Sequence, residues 1–497
     1  SVTENGLNEQ PIYGHVSENI PHLHRLCPNC SRVTGLGVIP KWINGALYQN
    51  GPGLLDACET RVKHLFDAFA LLQKLDGLFT SNDFRTDNAM ISLYPYQTKP
   101  GQHSLYAMTE TPIMHQIDPI NLKTMSKFDV GIYLNIVSQC PHPVIVEDGR
   151  MLNVGLSTGR KGMQYVIFQF PPICAADENV NTNNRMTQCK ILTSINSRWT
   201  LNPAYVHTFG VTKNFIILVE QSLCISIVNM AKIIVTKGPL ADALVWYNEP
   251  VRFRIIHQST LEEVKYIYLT TAFFFLHMIN AYEDDNHLIV DICCYENSDM
   301  LKCMTIEALE NAQYNPKYAD QFRSRPKRFV LPLVITSFVN SENLVHLNYT
   351  SARATVMNNL RNQIWIEPEL LADVGCELPQ IDYFNYMGKF YRYFYAINTD
   401  IDYEHCGAVR KIDTLTKTHK LWYDENCYTS EPIFLPRPNA KHEDDGVIII
   451  SLLRSGIENE VSLVILDAMQ MTEIGRVKFC TNGPVPKCLH GWYDAAA

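Results

Sequence analysis

No stretch of this sequence holds the ~20 consecutive apolar residues that cross a bilayer. TTAFFFLHMINAY (270–282) is too short and runs into acids, so it reads as a buried strand. IVNMAKIIVTKGPLADALVWY (227–247) is broken by Gly238-Pro239 and carries Lys232 and Lys237. It reads as a pair of surface helices or as a patch lying on a membrane face. Positive charge is not concentrated anywhere: the net charge is −9 and no Lys/Arg cluster occurs, which argues against a nucleic-acid partner. No secretory signal opens the chain, so the fifteen scattered cysteines are expected as reduced thiols in the cytosol. Cys27 and Cys30 form a single CPNC, a weak zinc signal without a second pair. Long amphipathic helices are scarce, with MTIEALENAQY (304–314) one candidate. Low-complexity segments and linkers are absent, which predicts one domain over 1–497.

What the chain does have is short apolar runs bounded by turn residues, the pattern of strands. NFIILVEQ (214–221), HLIVDICCY (287–295), GVIIISLL (446–453) and VSLVILDA (461–468) are the clearest. HQIDPINLKTMSKFD (115–129), RKIDTLTKTHKLWYD (410–424) and VILDAMQMTEIGRVKF (464–479) repeat one form: a strand ending in apolar-Asp, a polar turn, a second strand. FRIIHQSTLEEVKYIY (253–268) is a degenerate fourth copy. Repeated hairpins without helices suggest a β-propeller.

A second recurring unit carries histidine. HPVIVEDGRMLNVG (142–155), HTFGVTKNFIILVE (207–220) and HMINAYEDDNHLIVDI (277–292) each place a histidine on a strand followed by a polar turn and an apolar return strand. The histidines are 65 and 70 residues apart, and His277 to His490 is 213, three times 71. Seven units of 71 residues account for all 497. A lone histidine on such a strand is usually a satisfied core residue. Four at blade-like spacing point instead to inner strands converging on a shared first-row metal such as Fe, Cu or Zn. TNGPVPKCLHGWY (481–493) fits that picture, since a chain end is usually frayed and polar yet this one is rigid and aromatic.

In order along the chain, GALYQNGPG (45–53), HLFDAFALL (64–72), YAMTETP (106–112), YVHTFGVT (205–212), FFFLHMINAYEDD (273–285), CELPQIDY (376–383), SEPIFLPRP (430–438), EDDGVII (443–449) and NGPVPKCLHGWY resemble the carotenoid cleavage oxygenases. The resemblance implies an all-β, seven-bladed propeller with Fe(II) on its central axis and a helical and loop cap over the substrate entrance. It assigns the iron to His142, His207, His277 and His490. Glu110, Glu377 and Glu431 match the family's glutamates that accept the other ring N–H, of His207, His277 and His490 respectively. The implied reaction is O2-dependent cleavage of the central 15,15' double bond of a carotenoid of the β-carotene, zeaxanthin or lutein class. Trans-to-11-cis isomerisation is coupled to it, giving 11-cis and all-trans retinal-type aldehydes for visual chromophore. Plain central cleavage, eccentric cleavage, retinyl-ester isomerohydrolysis and a carotenoid-binding protein without activity are the alternatives. An apolar rod needs an apolar tunnel, for which Phe273, Phe275 and Thr109 are the candidates. Its entry from lipid implies a cytoplasmic protein peripherally attached to a membrane surface. Two departures stand out. The family's FDG reads Phe66-Asp67-Ala68, and only QKLDGLFTSNDFRTDN (73–88) occupies the place of a strand and long loop at the entrance.

Overall fold

The computed structural model describes residues 30–494 apart from 55, 58–59, 62, 66–68, 71–88, 100–101, 120–121, 173–185, 237, 336–338, 340–341 and 358–359. Cys27, Phe66-Asp67-Ala68 and the 73–88 segment therefore lie outside the described residues. The runs marked as strands form strands: Phe215–Glu220, His287–Tyr295, Gly446–Arg454 and Glu460–Asp467. The apolar run from 270 contains the buried strand Phe274–Asp284. The helix expected over 304–314 is one turn, Ile306–Glu310, followed by a 3-10 turn.

Strands assemble into six sheets of at least four strands among the described residues, drawn in chain order from 92–129, 138–196, 210–270, 274–332 with 369–370, 377–422 and 427–481. Apolar side chains fill the spaces between consecutive sheets, as face-to-face packing of twisted blades requires. Tyr106, Met108 and Phe168 fill one such space, Leu152, Ile167 and Ile216 the next, and Tyr395, Phe434 and Ile448 another.

The expected count of seven blades is corrected to six. Among the described residues, only two strands stand between the last sheet and the first, Ala46–Asn50 and His490–Asp494, paired antiparallel. They close the ring as a narrow wedge. Leu47 and Tyr493 pack on Val447 and Ile449 of the sixth sheet, and Tyr48 and Trp492 pack on Leu93 and Leu105 of the first. The 71-residue period fails for two physical reasons. The third sheet takes two extra strands, Arg353–Met357 and Leu360–Glu367, through a parallel pairing with Ile267–Thr270. The sixth takes an N-terminal strand, Cys30–Gly37, along Thr472–Thr481. Spacing along the chain thus reports insertions as well as blades.

The two hairpin types found in the sequence occupy different places. Hairpins carrying His142 and His277 are the first pair of their sheets, whereas 113–129 and 409–422 are the outer pair. The first strands converge at the centre. Gly210 packs closely there: a Cβ would meet Met278 Sδ at 2.8 Å and Ala281 Cβ at 3.2 Å, so a larger residue forces the Met278 side chain to shift.

Candidate metal centre

Four inner segments bring His142, His207, His277 and His490 together with one ring nitrogen each, all within 4.8 Å of one another. Three are buried and His142 is half-buried. Their Nδ1 atoms point outward. His207 Nδ1 lies 3.0 Å from Glu110 Oε1, His277 Nδ1 2.5 Å from Glu377 Oε2, and His490 Nδ1 2.9 Å from Glu431 Oε1. His142 Nδ1 faces the Tyr94 hydroxyl at 3.4 Å.

A carboxylate only accepts, so each of the three paired Nδ1 atoms carries the proton and each Nε2 presents a lone pair inward. Two such lone pairs, on His277 and His490, face each other at 3.2 Å. His142 Nε2 is buried with no partner. Burial, then the neighbouring histidines, hold His142 and His277 well below the ordinary imidazole range, so they stay neutral. Converging lone pairs repel unless a cation sits among them. Ligand nitrogens at about 2.1 Å from one ion stand roughly 3 Å apart at right angles, which the 3.2 Å separation meets. The residues present fit a metal ion.

The carboxylates are held in turn. Tyr205 donates its hydroxyl to Glu110 Oε1 and lies 3.1 Å from His207 Nδ1. Gln380 Nε2 donates to Glu431 Oε1 at 2.8 Å, and the Gly491 N–H donates to Oε2 at 2.9 Å. The Leu378 N–H donates to Glu377 Oε2 at 2.7 Å. Leu378 does so with a left-handed backbone, φ 51°, strain of about 1–3 kcal/mol spent beside a functional carboxylate. The side chain of Glu110 is 34% exposed whereas those of Glu377 and Glu431 are sealed. Behind His207, a cavity of about 40 Å³ is lined by Glu110, Cys140, Tyr205, Val206 and Ile225, among others.

Burial pushes Glu377 up to about 7, against the pull of the Leu378 N–H. In the metal-free protein it is therefore ionised above about pH 7 and protonated below. A bound dication draws its pKa down, so metal entry below pH 7 must expel that proton. Metal affinity is expected to fall as the pH drops below about 7, by up to about tenfold per unit. His142 and His277, already neutral there, add no competition. Competitive metal titrations between pH 6 and 8 read this slope. The same slope in Glu377→Gln assigns it to another group.

Of the three tunnel candidates, the two phenylalanines are corrected. Phe273 stacks on Phe329 at 5.3 Å and packs with Phe275 in the core shared by the third, fourth and fifth sheets. Alternation along the strand sends Phe274 the other way, onto Tyr295. These rings are blade core. Thr109 is buried directly before Glu110. Sequence reasoning missed Tyr205 and Cys140, each two residues before a ligand. Neither pair lies on a regular strand, so strand alternation carried no signal for them.

The membrane candidate folds as the helix Ile227–Thr236, followed by a 3-10 turn, Leu240–Ala243. A single helix thus replaces the expected pair. Ile233 is 7% exposed and turned inward, whereas Val228 (65%) and Val235 (83%) face outward together with Lys232. Leu201, also exposed, accepts the Ile227 N–H beside it. No helix among the described residues is long and apolar enough to cross a membrane.

The sequence profile of the retinal pigment epithelial membrane protein family matches residues 24–76 and 76–495, a break that falls inside the 73–88 segment. A carotenoid isomerooxygenase of Galleria mellonella is 36% identical, covering 95% of this chain and 98% of the relative. One of Drosophila melanogaster is 33% identical, covering 94% of each. The beta,beta-carotene 15,15'-dioxygenase of Mus musculus is 31% identical, covering 94% of this chain and 89% of the relative. Among solved structures, cobalt-substituted Synechocystis apocarotenoid oxygenase superposes with a TM-score of 0.67 at 19% identity, covering 95% of this chain and 98% of that one.

Proposed function

The chain belongs to the retinal pigment epithelial membrane protein family of carotenoid oxygenases, and from that premise we propose that it is a non-haem iron(II) dioxygenase that cleaves and isomerises carotenoids. The observation that carries this is the cluster of four imidazoles, three of them oriented by carboxylates. The reaction adds both atoms of O2 across the central 15,15' double bond of a carotenoid and releases two aldehydes, one 11-cis and one all-trans. Iron(II) at the four histidines supplies the dioxygen-binding and electron-transfer chemistry that such a donor set supports.

The protein's own groups do the rest. Glu110, Glu377 and Glu431 fix the tautomers that aim each lone pair inward. Burial of His207, His277 and His490 keeps water from competing on their side. No proton need be abstracted, so the reading requires no general base.

Purified, iron-loaded protein incubated with β-carotene, zeaxanthin or lutein under O2 tests the reading by chromatography of the aldehydes. Equal amounts of 11-cis and all-trans product are expected. An all-trans pair supports plain central cleavage. No aldehyde from a fully loaded protein supports a carotenoid-binding role.

A lipid-soluble substrate passes from bilayer to protein, and the outward face of the Ile227–Thr236 helix is suited to lie against a membrane. Val228→Asp with Val235→Asp is expected to reduce co-sedimentation with anionic liposomes several-fold. Unchanged sedimentation removes this helix from the membrane-facing surface.

A further inference from the structure

Blades of a propeller are separate sheets, so no backbone ladder fixes the distance from one inner strand to the next. Side chains perform that task beside the histidines, with Cys140 and Thr208 nearest to the ligands and Gln221 joining the Tyr205 carbonyl to Phe275. Cys140 Sγ donates to the His207 carbonyl at 2.8 Å and accepts the His142 N–H at 3.3 Å. Thr208 Oγ1 donates to the Leu276 carbonyl at 2.7 Å and accepts the Met278 N–H at 3.2 Å, so it grips the residues on both sides of His277. Both are buried. One thiol and one hydroxyl thus each act as donor and acceptor at successive junctions of the ring: Cys140 ties its own segment to the His207 carbonyl, and Thr208 ties its own to both flanks of His277. A third junction is bridged in two steps. The Leu489 N–H donates to the Asn50 carbonyl, Asn50 Nδ2 reaches Ala89 and Ser92 carbonyls, and Ser92 Oγ donates to the carbonyl of Pro141 beside His142.

We propose that Cys140 and Thr208 are positioning residues for the metal: each staples two histidine-bearing segments and sets the spacing of the four imidazoles. The inference rests on the metal-centre reading above and concerns how the cluster is held. A donor set with outward carboxylate partners fixes how each ring is turned. It does not fix how far apart the backbones stand. The staples supply that second constraint, and with it the short Nε2 separations that favour one ion.

Removing a staple leaves a buried N–H and a buried C=O unpaired and frees the strands to part. Cys140→Ala and Thr208→Val are each expected to weaken cobalt(II) binding by about 10–100-fold, the usual cost of losing a group that orients a ligand. They should also shift the cobalt visible absorption bands. Cys140→Ser and Thr208→Ser keep a donor and an acceptor at each place and are expected to restore most of the affinity and the native spectrum. Tyr268→Phe is the control for general destabilisation. It deletes a buried hydroxyl that bonds the Pro332 carbonyl at 2.6 Å, outside the histidine cluster. It should lower the melting temperature without changing the bands.

Native affinity and spectrum in both Cys140→Ala and Thr208→Val overturn the proposal. So does a loss of affinity that merely tracks melting temperature, as in the control, or serine variants no better than the deletions. If the native protein itself takes up no cobalt or iron, the metal-centre reading fails instead, and the two failures are told apart.

Discussion

His490→Ala is expected to fold and to lose its metal. The histidine opens the strand His490–Asp494, whose pairing with Ala46–Asn50 uses backbone groups that the substitution leaves in place. Glu431 also keeps two of its partners, the Gln380 amide and the Gly491 N–H. What disappears is one of four inward lone pairs. Loss of an orienting partner alone costs up to about 100-fold in metal affinity, and loss of the ligand itself exceeds that. Iron measured by plasma mass spectrometry is expected to fall from about one per chain to a small fraction, with turnover falling in step. Full iron and full turnover in the variant remove His490 from the centre.

The second large effect is on stability. Asp291 and Arg328 face each other on adjacent strands of the fourth sheet, both at 0% exposure. Two bonds join them, Nε to Oδ1 at 2.9 Å and Nη2 to Oδ2 at 2.7 Å, and Tyr391 from the next sheet donates to Oδ2 at 2.6 Å. The guanidinium lies between the rings of Tyr282 and Tyr349. Asp291→Ala strands a buried cation and a buried hydroxyl, and about 3–5 kcal/mol of stability is expected to go with them. Pairing Asp291→Leu with Arg328→Met removes both charges and is expected to recover part of that loss. Thermal unfolding of the two variants decides: a single mutant as stable as the native chain contradicts the account, as does a double mutant less stable than the single.

Much of the centre was legible in the sequence because its signals are local. Each of His142, His207 and His277 sits on an apolar run with a polar turn within eight residues. The motifs around Glu110, Glu377 and Glu431 lie beside the same kind of run. The four histidines come together as spacing and resemblance predicted, and each glutamate faces the histidine assigned to it.

The rest depended on information that period and motif do not carry. Blade number was misread because a uniform 71-residue unit hides sheets that borrow strands, such as Arg353–Met357 and Cys30–Gly37. Phe273 and Phe275 were misplaced because the strand is irregular between Phe275 and Met278, which breaks the simple alternation relative to His277. Packing against Phe329 decides the face that Phe273 takes. Within 227–247, helical spacing groups Val228 with Lys232 and Val235 and leaves Ile233 on the inner side, a division the apolar run alone does not mark. Cys140 and Thr208 were passed over since a small polar residue on a strand carries no signal of what it bridges.

The central claim is that four imidazoles and no other protein group hold the metal, and iron K-edge X-ray absorption of the purified protein tests it most directly. The account predicts a first shell of light atoms at about 2.1 Å, with outer-shell scattering that counts four imidazole rings and no sulfur. Two rings, or a sulfur scatterer from one of the nearby cysteines, would contradict it.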